Sequence, residues 1–322
     1  MPMDAETEDS IHVFLEAWFH RPSSRPIKKD RDVHTPISHQ KGMKDDRYCS
    51  FGVGSPEPAL AAVDRRAAPA PPVGLTVQAV QFRAADGVRL RGWLVRNSAA
   101  APTVILIAPF TSNRTSMLRY ARFLHAAGFN VLLYDSRGTG ESGGSFSLGL
   151  REVDDVQGAV TYLQSRRDLP NHHYGLLGVS LGAGVAIVAA AHTPSILATV
   201  ADSAYVDQRA TVTRLDMLQR GALRLPLVPL APWAVDHFLG APLTSFSPLR
   251  SVGRIAPRAL LLIHSRHDGN PTTPLSGALA LYRAAGRPAF LWIVPHGGHA
   301  GALSAQPAAY RRRVIAFFRR YL

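Results

Sequence analysis

From residue 103 onward the chain repeats one pattern, a short buried run followed by an amphipathic segment. TVILIAPF (103–110), FNVLLYD (129–135), YGLLGV (174–179), ATVADS (198–203), RALLLIHS (258–265) and AFLWIV (289–294) are aliphatic or β-branched almost throughout. Such runs suit strands covered on both faces, the environment of a parallel sheet. Between them lie helical patterns. SMLRYARFLHAAG (116–128) places Met117, Tyr120 and Leu124 on one face and ends at Gly128, a residue suited to a helix stop. LREVDDVQGAVTYLQSR (150–166) carries the stripe Val153, Val156, Val160 and Leu163. Further helices are expected after Ser180, near 274–285, and from about 307. The alternation predicts an α/β fold, a doubly wound and mostly parallel sheet. Ahead of it, TVQAVQFRAADGVRLRGWLV (76–95) alternates about Asp86-Gly87 and reads as a β-hairpin.

Two stretches break the rhythm. Residues 1–72 hold scattered charges, the run KKDRD and the proline-rich AAPAPPVG, so a poorly structured extension is expected there, with the folded domain spanning 73–322. Residues 205–245 include GALRLPLVPLAPWAV, whose three prolines forbid one straight helix. An inserted cap over the sheet is the expected form, apolar enough to line an acyl pocket.

Charge and cysteine content narrow the function classes. The net charge of +13 sits in the expected domain, where 26 Lys and Arg face 12 Asp and Glu. No RNA- or DNA-binding motif accompanies it, so the excess reads as arginine-rich composition, with no nucleic-acid partner. The single cysteine, Cys49, cannot close an internal disulfide. No apolar run approaches the ~20 residues that span a bilayer, and the opening MPMDAETEDS is acidic. A cytoplasmic location is expected. In AAYRRRVIAFFRRYL, Tyr310, Val314, Phe317 and Tyr321 share one helical face, which favours a core-packing helix over peripheral membrane contact.

In an open parallel sheet, ligands gather where strands end, and the chemically capable residues fall at such ends. Ser180 follows YGLLGV inside Gly178-Val179-Ser180-Leu181-Gly182. That pattern alone is weak in a chain with 26 glycines, and its position is what strengthens it. Asp268 lies three residues past the strand ending at Ser265, and His299 follows AFLWIV in VPHGGHAGA. A serine hydroxyl needs an imidazole to take its proton, and the imidazole needs a carboxylate to fix its tautomer. A tetrahedral intermediate needs two aimed N–H donors, for which Leu181 and Phe110 are the candidates. Asp202, after ATVADS, is the alternative acid, and His296 competes with His299 as base. His267 and the pair His172-His173 read as solvated loop or turn residues.

Five stretches carry a family resemblance: DGVRLRGWLV, APFTSNR, DSRGTGESGG, GVSLG and the pair IHSRHD…PHGGHAG. In this order they resemble the α/β-hydrolase superfamily, and particularly small bacterial serine hydrolases of the prolyl-oligopeptidase-like or lysophospholipase-like esterase branch. The resemblance implies Ser180 as nucleophile, Asp268 as acid and His299 as base, without metal or organic cofactor. It implies an acyl-enzyme route acting on a small ester or thioester. Short-peptide hydrolysis and a non-catalytic binding role are the alternatives. One departure is visible: Ala108-Pro109 stands where the family commonly has His-Gly, although the family's donor is the next residue, here Phe110. The run Gly138-x-Gly140-x-x-Gly143 formally matches a dinucleotide fingerprint, but no helix is expected to open directly after it. The resemblance makes this a structural loop in which Arg137 and Ser142 bond locally. His296-x-x-His299 lacks further ligands at metal-binding spacing.

Overall fold

The computed structural model describes residues 74–208, 236 and 241–322. The expected extension (1–72) and most of the expected cap (205–245) lie outside the described residues. Strands β1 (Gln78–Arg83) and β2 (Arg89–Val95) form the expected hairpin, pairing antiparallel from Gln78–Leu94 to Arg83–Arg89. Six strands follow: β3 (Thr103–Ile107), β4 (Asn130–Tyr134), β5 (Tyr174–Val179), β6 (Ile196–Asp202), β7 (Ala259–Ser265) and β8 (Ala289–Val294). They join one eight-stranded sheet in the order β1-β2-β4-β3-β5-β6-β7-β8. β2 meets β4 antiparallel, and every pairing from β4 through β8 is parallel. From β3 the chain winds outward to β4, then returns to the other side of β3 and proceeds from β5 to β8. The winding reverses between β3 and β5, and that crevice is where such a sheet binds ligands.

Helices α1 (Leu118–Ala126), α2 (Glu152–Ser165), α3 (Leu181–His192), α4 (Leu275–Ala284) and α5 (Pro307–Tyr321) cover the sheet. Successive strand residues point to opposite faces. Ile105 and Ile107 join a core with α2, α3 and Leu281 of α4, whereas Val104 and Leu106 join one with α1 and α5. The stripe Val153, Val156, Val160 and Leu163 is buried as expected, each side chain contributing about 1.5–3 kcal/mol when fully covered. On α5, Tyr310, Val314, Phe317 and also Phe318 are buried, and Tyr321 is partly covered. Its aromatic face therefore packs on the sheet.

The structure trims several boundaries. The run 103–110 leaves the sheet after Ile107, freeing Ala108–Phe110 as a loop at the crevice. α1 starts late because Asn113 caps a 3-10 turn over Arg114–Met117, its Oδ1 accepting from Thr115 N–H at 2.9 Å. Short helical turns at Leu243–Ser245, Pro248–Ser251, Val252–Ile255 and Ala302–Ala305 are too brief to develop a periodic pattern. Among the described residues, no helix is long and apolar enough to cross a membrane.

The loop after β4 is held by charge. Arg137, buried, donates from its backbone N and Nε to Asp155 at 2.9 Å each and from Nη1 and Nη2 to Asp86 at 2.7 and 3.0 Å. The Ser142 hydroxyl donates to Asp135 O at 2.7 Å and accepts Arg91 N–H at 2.9 Å. Asp135 binds Arg114 through both carboxylate oxygens at 2.8 Å. The next helix opens only at Glu152, so none of the glycines of this loop opens a helix.

Candidate active site

Ser180 sits on the turn from β5 into α3 with φ 55° and ψ −115°, a conformation L-residues rarely adopt. The turn closes because its flanking residues lack side chains. A Cβ on Gly178 would strike Gly182 O, and one on Gly182 would strike Ile107 O and Ala108 O. Gly184, one turn on, lies against the Tyr205 ring at 2.9 Å from where a Cβ would stand. Ser180 N–H donates to Asp202 O at 2.8 Å, pinning the turn to the end of β6.

Three residues from three strand ends meet here. Ser180 Oγ lies 2.8 Å from His299 Nε2 across 119 residues of sequence. His299 Nδ1 lies 3.0 Å from each carboxylate oxygen of Asp268, which is buried. Asp268 Oδ1 also accepts Thr273 Oγ1–H at 2.9 Å and Asn270 N–H at 3.1 Å. Thr273, 3.1 Å from His299 Nδ1 and buried, carries no signal in the polar run DGNPTTP. Behind Asp268, the buried His264 places Nε2 3.6 Å from Oδ2. Burial lowers its pKa, opposed by the Asp268 charge.

The alternatives lie elsewhere. His296, His267, His172 and His173 are exposed, and His173 Nδ1 meets Leu322 O at 2.9 Å. The Asp202 carboxylate is fully buried at the end of β6, and His299 Nδ1 pairs with Asp268 instead. Burial raises Asp202 to about 6, offset in part by Tyr310, Ser203, His299 and Arg119. Among the described residues, no group of three or more His, Cys, Asp or Glu side chains could hold a metal ion.

Leu181 is the first residue of α3 and Phe110 the third beyond β3. Neither N–H donates to a protein acceptor among the described residues. Both belong to the crevice where the winding reverses, and the Leu181 N–H shares the positive end of α3. Thr111, directly after Phe110, takes φ 55°, and the Phe110 ring packs edge-on against Phe146 at 5.1 Å. A narrow cleft opens alongside, lined by Pro109, Thr111, Ser112, Thr139, Glu152 and Leu181 among others. Burial raises the Glu152 carboxyl, countered by hydrogen bonds from the Ser147 hydroxyl and N–H.

Known proteins resemble this chain. A family model described as X-Pro dipeptidyl-peptidase (S15 family) matches residues 86–230. The uncharacterized protein YqkD of Bacillus subtilis is 31% identical over 246 residues, covering 72% of this chain and 76% of YqkD. The uncharacterized protein YfhR of Escherichia coli O157:H7 is 28% identical over 251 residues, covering 75% of this chain and 80% of YfhR. Among solved structures, the Pyrococcus furiosus esterase Pf2001 superposes with a TM-score of 0.65 at 26% identity, covering 80% of this chain and 98% of the esterase.

Proposed function

Because the chain belongs to the α/β-hydrolase superfamily, we propose that it is a serine hydrolase that cleaves carboxylic esters or thioesters through an acyl-enzyme. The observation that carries this reading is the 2.8 Å contact of Ser180 Oγ with His299 Nε2, backed by Asp268 at 3.0 Å on the opposite ring nitrogen.

In the proposed reaction Ser180 Oγ attacks the carbonyl carbon while His299 Nε2 takes its proton. Asp268 accepts the Nδ1–H bond and stabilises the imidazolium. The carbonyl π pair moves onto oxygen, where the N–H groups of Phe110 and Leu181 receive the charge. Collapse expels the alcohol or thiol, which leaves with the proton from His299. Water then gives its proton to His299, attacks the acyl carbon, and releases the acid with regeneration of Ser180. Proline at 109 lacks an N–H, but the assigned donor is Phe110, so the substitution changes loop geometry and not donor number.

Hydrolysis of short peptides is the second reading, favoured by the S15 family match over residues 86–230. That match ends before Asp268 and His299, so it speaks for the half carrying the serine turn. The Pf2001 esterase aligns over 80% of this chain, which favours esters. A fluorophosphonate probe should label the wild type and not Ser180→Ala. A series of p-nitrophenyl esters, run beside peptide anilides, should show ester turnover dominating. Equal labelling of both proteins removes Ser180 from the mechanism, and preference for anilides replaces the ester assignment with the peptide one.

A further inference from the structure

Ser203 is fully buried, is not glycine, and still takes a left-handed φ of 59° directly after β6. Ala300, next to His299, does the same with φ 53°. Non-glycine residues in this region are strained and persist where their surroundings fix them. The two are joined across 97 residues of sequence, since Ala300 N–H donates to Ser203 Oγ at 3.1 Å. The Ser203 hydroxyl proton is directed to Asp202 Oδ1 at 3.1 Å, and Ser203 N–H donates to Ile263 O of β7 at 2.9 Å. The same short segment holds the serine turn through Asp202 O and Ser180 N–H. One dipeptide thus bonds to the backbone on both sides of the 2.8 Å contact between Ser180 and His299.

We propose that Ser203 is a positioning residue for His299, with its hydroxyl, steered by the Asp202 carboxylate, latching the imidazole loop at Ala300. The proposal rests on the hydrolase reading for its kinetic consequences and on the hydrogen bonds alone for the latch. Without the carboxylate, the Ser203 hydroxyl loses its preferred acceptor and is free to rotate away from the geometry that receives Ala300 N–H. Besides Ser203 and the His299 imidazole, Tyr310 from α5 and Arg119 from α1 act on the Asp202 carboxyl. The Tyr310 hydroxyl approaches the carboxylate without closing a hydrogen bond of ordinary geometry. Ser203 closes a hydrogen bond to Oδ1 at 3.1 Å, and Tyr310 faces the carboxylate beside it.

Ser203→Gly isolates the latch, because glycine keeps the left-handed backbone without strain while removing the acceptor. The first readout is amide hydrogen exchange at Ala300, which needs no turnover. Exchange should quicken at least ~10-fold, since the amide's protected state loses its partner. The second is ester turnover: kcat should fall ~10- to 100-fold with KM within about twofold, as a displaced catalytic group requires. Asp202→Asn keeps an acceptor for Ser203 and removes the charge. It should hold plateau kcat within ~3-fold, because the Ser203 hydroxyl keeps an acceptor. Asp202→Ala should lower the plateau as Ser203→Gly does. Unchanged Ala300 exchange in Ser203→Gly, or unchanged kcat in both Ser203→Gly and Asp202→Ala, overturns the latch. A wild type that turns over no ester and takes no fluorophosphonate, with Ala300 still deprotected in Ser203→Gly, leaves the latch standing and overturns the hydrolase reading.

Discussion

Asp268 presents both carboxylate oxygens to a single nitrogen, His299 Nδ1, at 3.0 Å each. A buried carboxylate so placed accepts from Nδ1–H and holds the tautomer that leaves Nε2 free to take a proton. Asp268→Asn retains an oxygen for Thr273 Oγ1 and Asn270 N–H, so the fold should survive. Its amide nitrogen would press the opposite tautomer on His299, leaving Nε2 protonated and unable to receive the Ser180 proton. Turnover should fall ~10³- to 10⁴-fold with KM little changed. Steady-state kinetics on a p-nitrophenyl ester measures this. If the large loss falls on Asp202→Asn and spares Asp268→Asn, the acid is the residue at the end of β6.

The Ser180 backbone gives a prediction about stability. With φ 55° and ψ −115°, any residue with a Cβ is strained by about 1–3 kcal/mol. Ser180→Ala and Ser180→Gly both lose the hydrogen bond to His299, so that loss cancels between them. Alanine keeps the strain. Glycine relieves it but gains about 0.4–1 kcal/mol of unfolded-chain entropy. Relief of strain outweighs the entropic cost, and Ser180→Gly should be more stable than Ser180→Ala by about 1 kcal/mol. Chemical denaturation of the two inactive proteins decides it, and a glycine variant less stable than the alanine one by about 0.4–1 kcal/mol would mean the turn holds no strain.

The alternation of buried runs makes the sheet legible because strands covered on both faces must be apolar throughout. The stripe on α2 is equally plain, four apolar residues at helical spacing. Ser180, Asp268 and His299 stand out because their neighbours locate three strand ends. Thr273 and Ser203 do not. Each acts through a contact made in space, and a threonine in DGNPTTP or a serine in ADSAY carries no periodic or motif signal. His264 hides differently, alternating within an apolar strand as though it were one more core residue. The late start of α1 depends on which of several polar residues wins the cap, a contest that Asn113 settles through its bond to Thr115.

Arg137 tests how far the scaffold depends on charge. It is 2% exposed and bonds Asp155, itself fully buried, and the more exposed Asp86. Arg137→Met fills similar volume but strands the Asp155 carboxylate without its cation. Breaking one partner of a buried pair costs about 3–5 kcal/mol, and thermal unfolding should register a loss of that order. Asp86 can rehydrate and adds little. The double variant Arg137→Met with Asp155→Asn removes the stranded charge and keeps an acceptor for the residue 137 N–H, so it should recover part of the loss. No recovery would place the destabilisation in packing and not in charge.

Asp202 gives the pH dependence of stability a definite sign. Its carboxyl titrates at about 6 in the folded chain, raised by burial from 3.8. Between those values the native state holds a proton that the unfolded chain has released, so stability falls as pH rises through the window. Above 6 the penalty is complete, about 3 kcal/mol. Asp202→Asn keeps the Ser203 acceptor and has no proton to lose. Denaturant unfolding of both proteins at pH 4.5 and pH 7.5 should show the asparagine variant gaining on the wild type by about 2 kcal/mol over that interval, most of it below pH 6. A stability difference constant with pH would show that Asp202 does not titrate in this range. The protein would then hold a buried charge whose cost is met by its neighbours, among them Ser203.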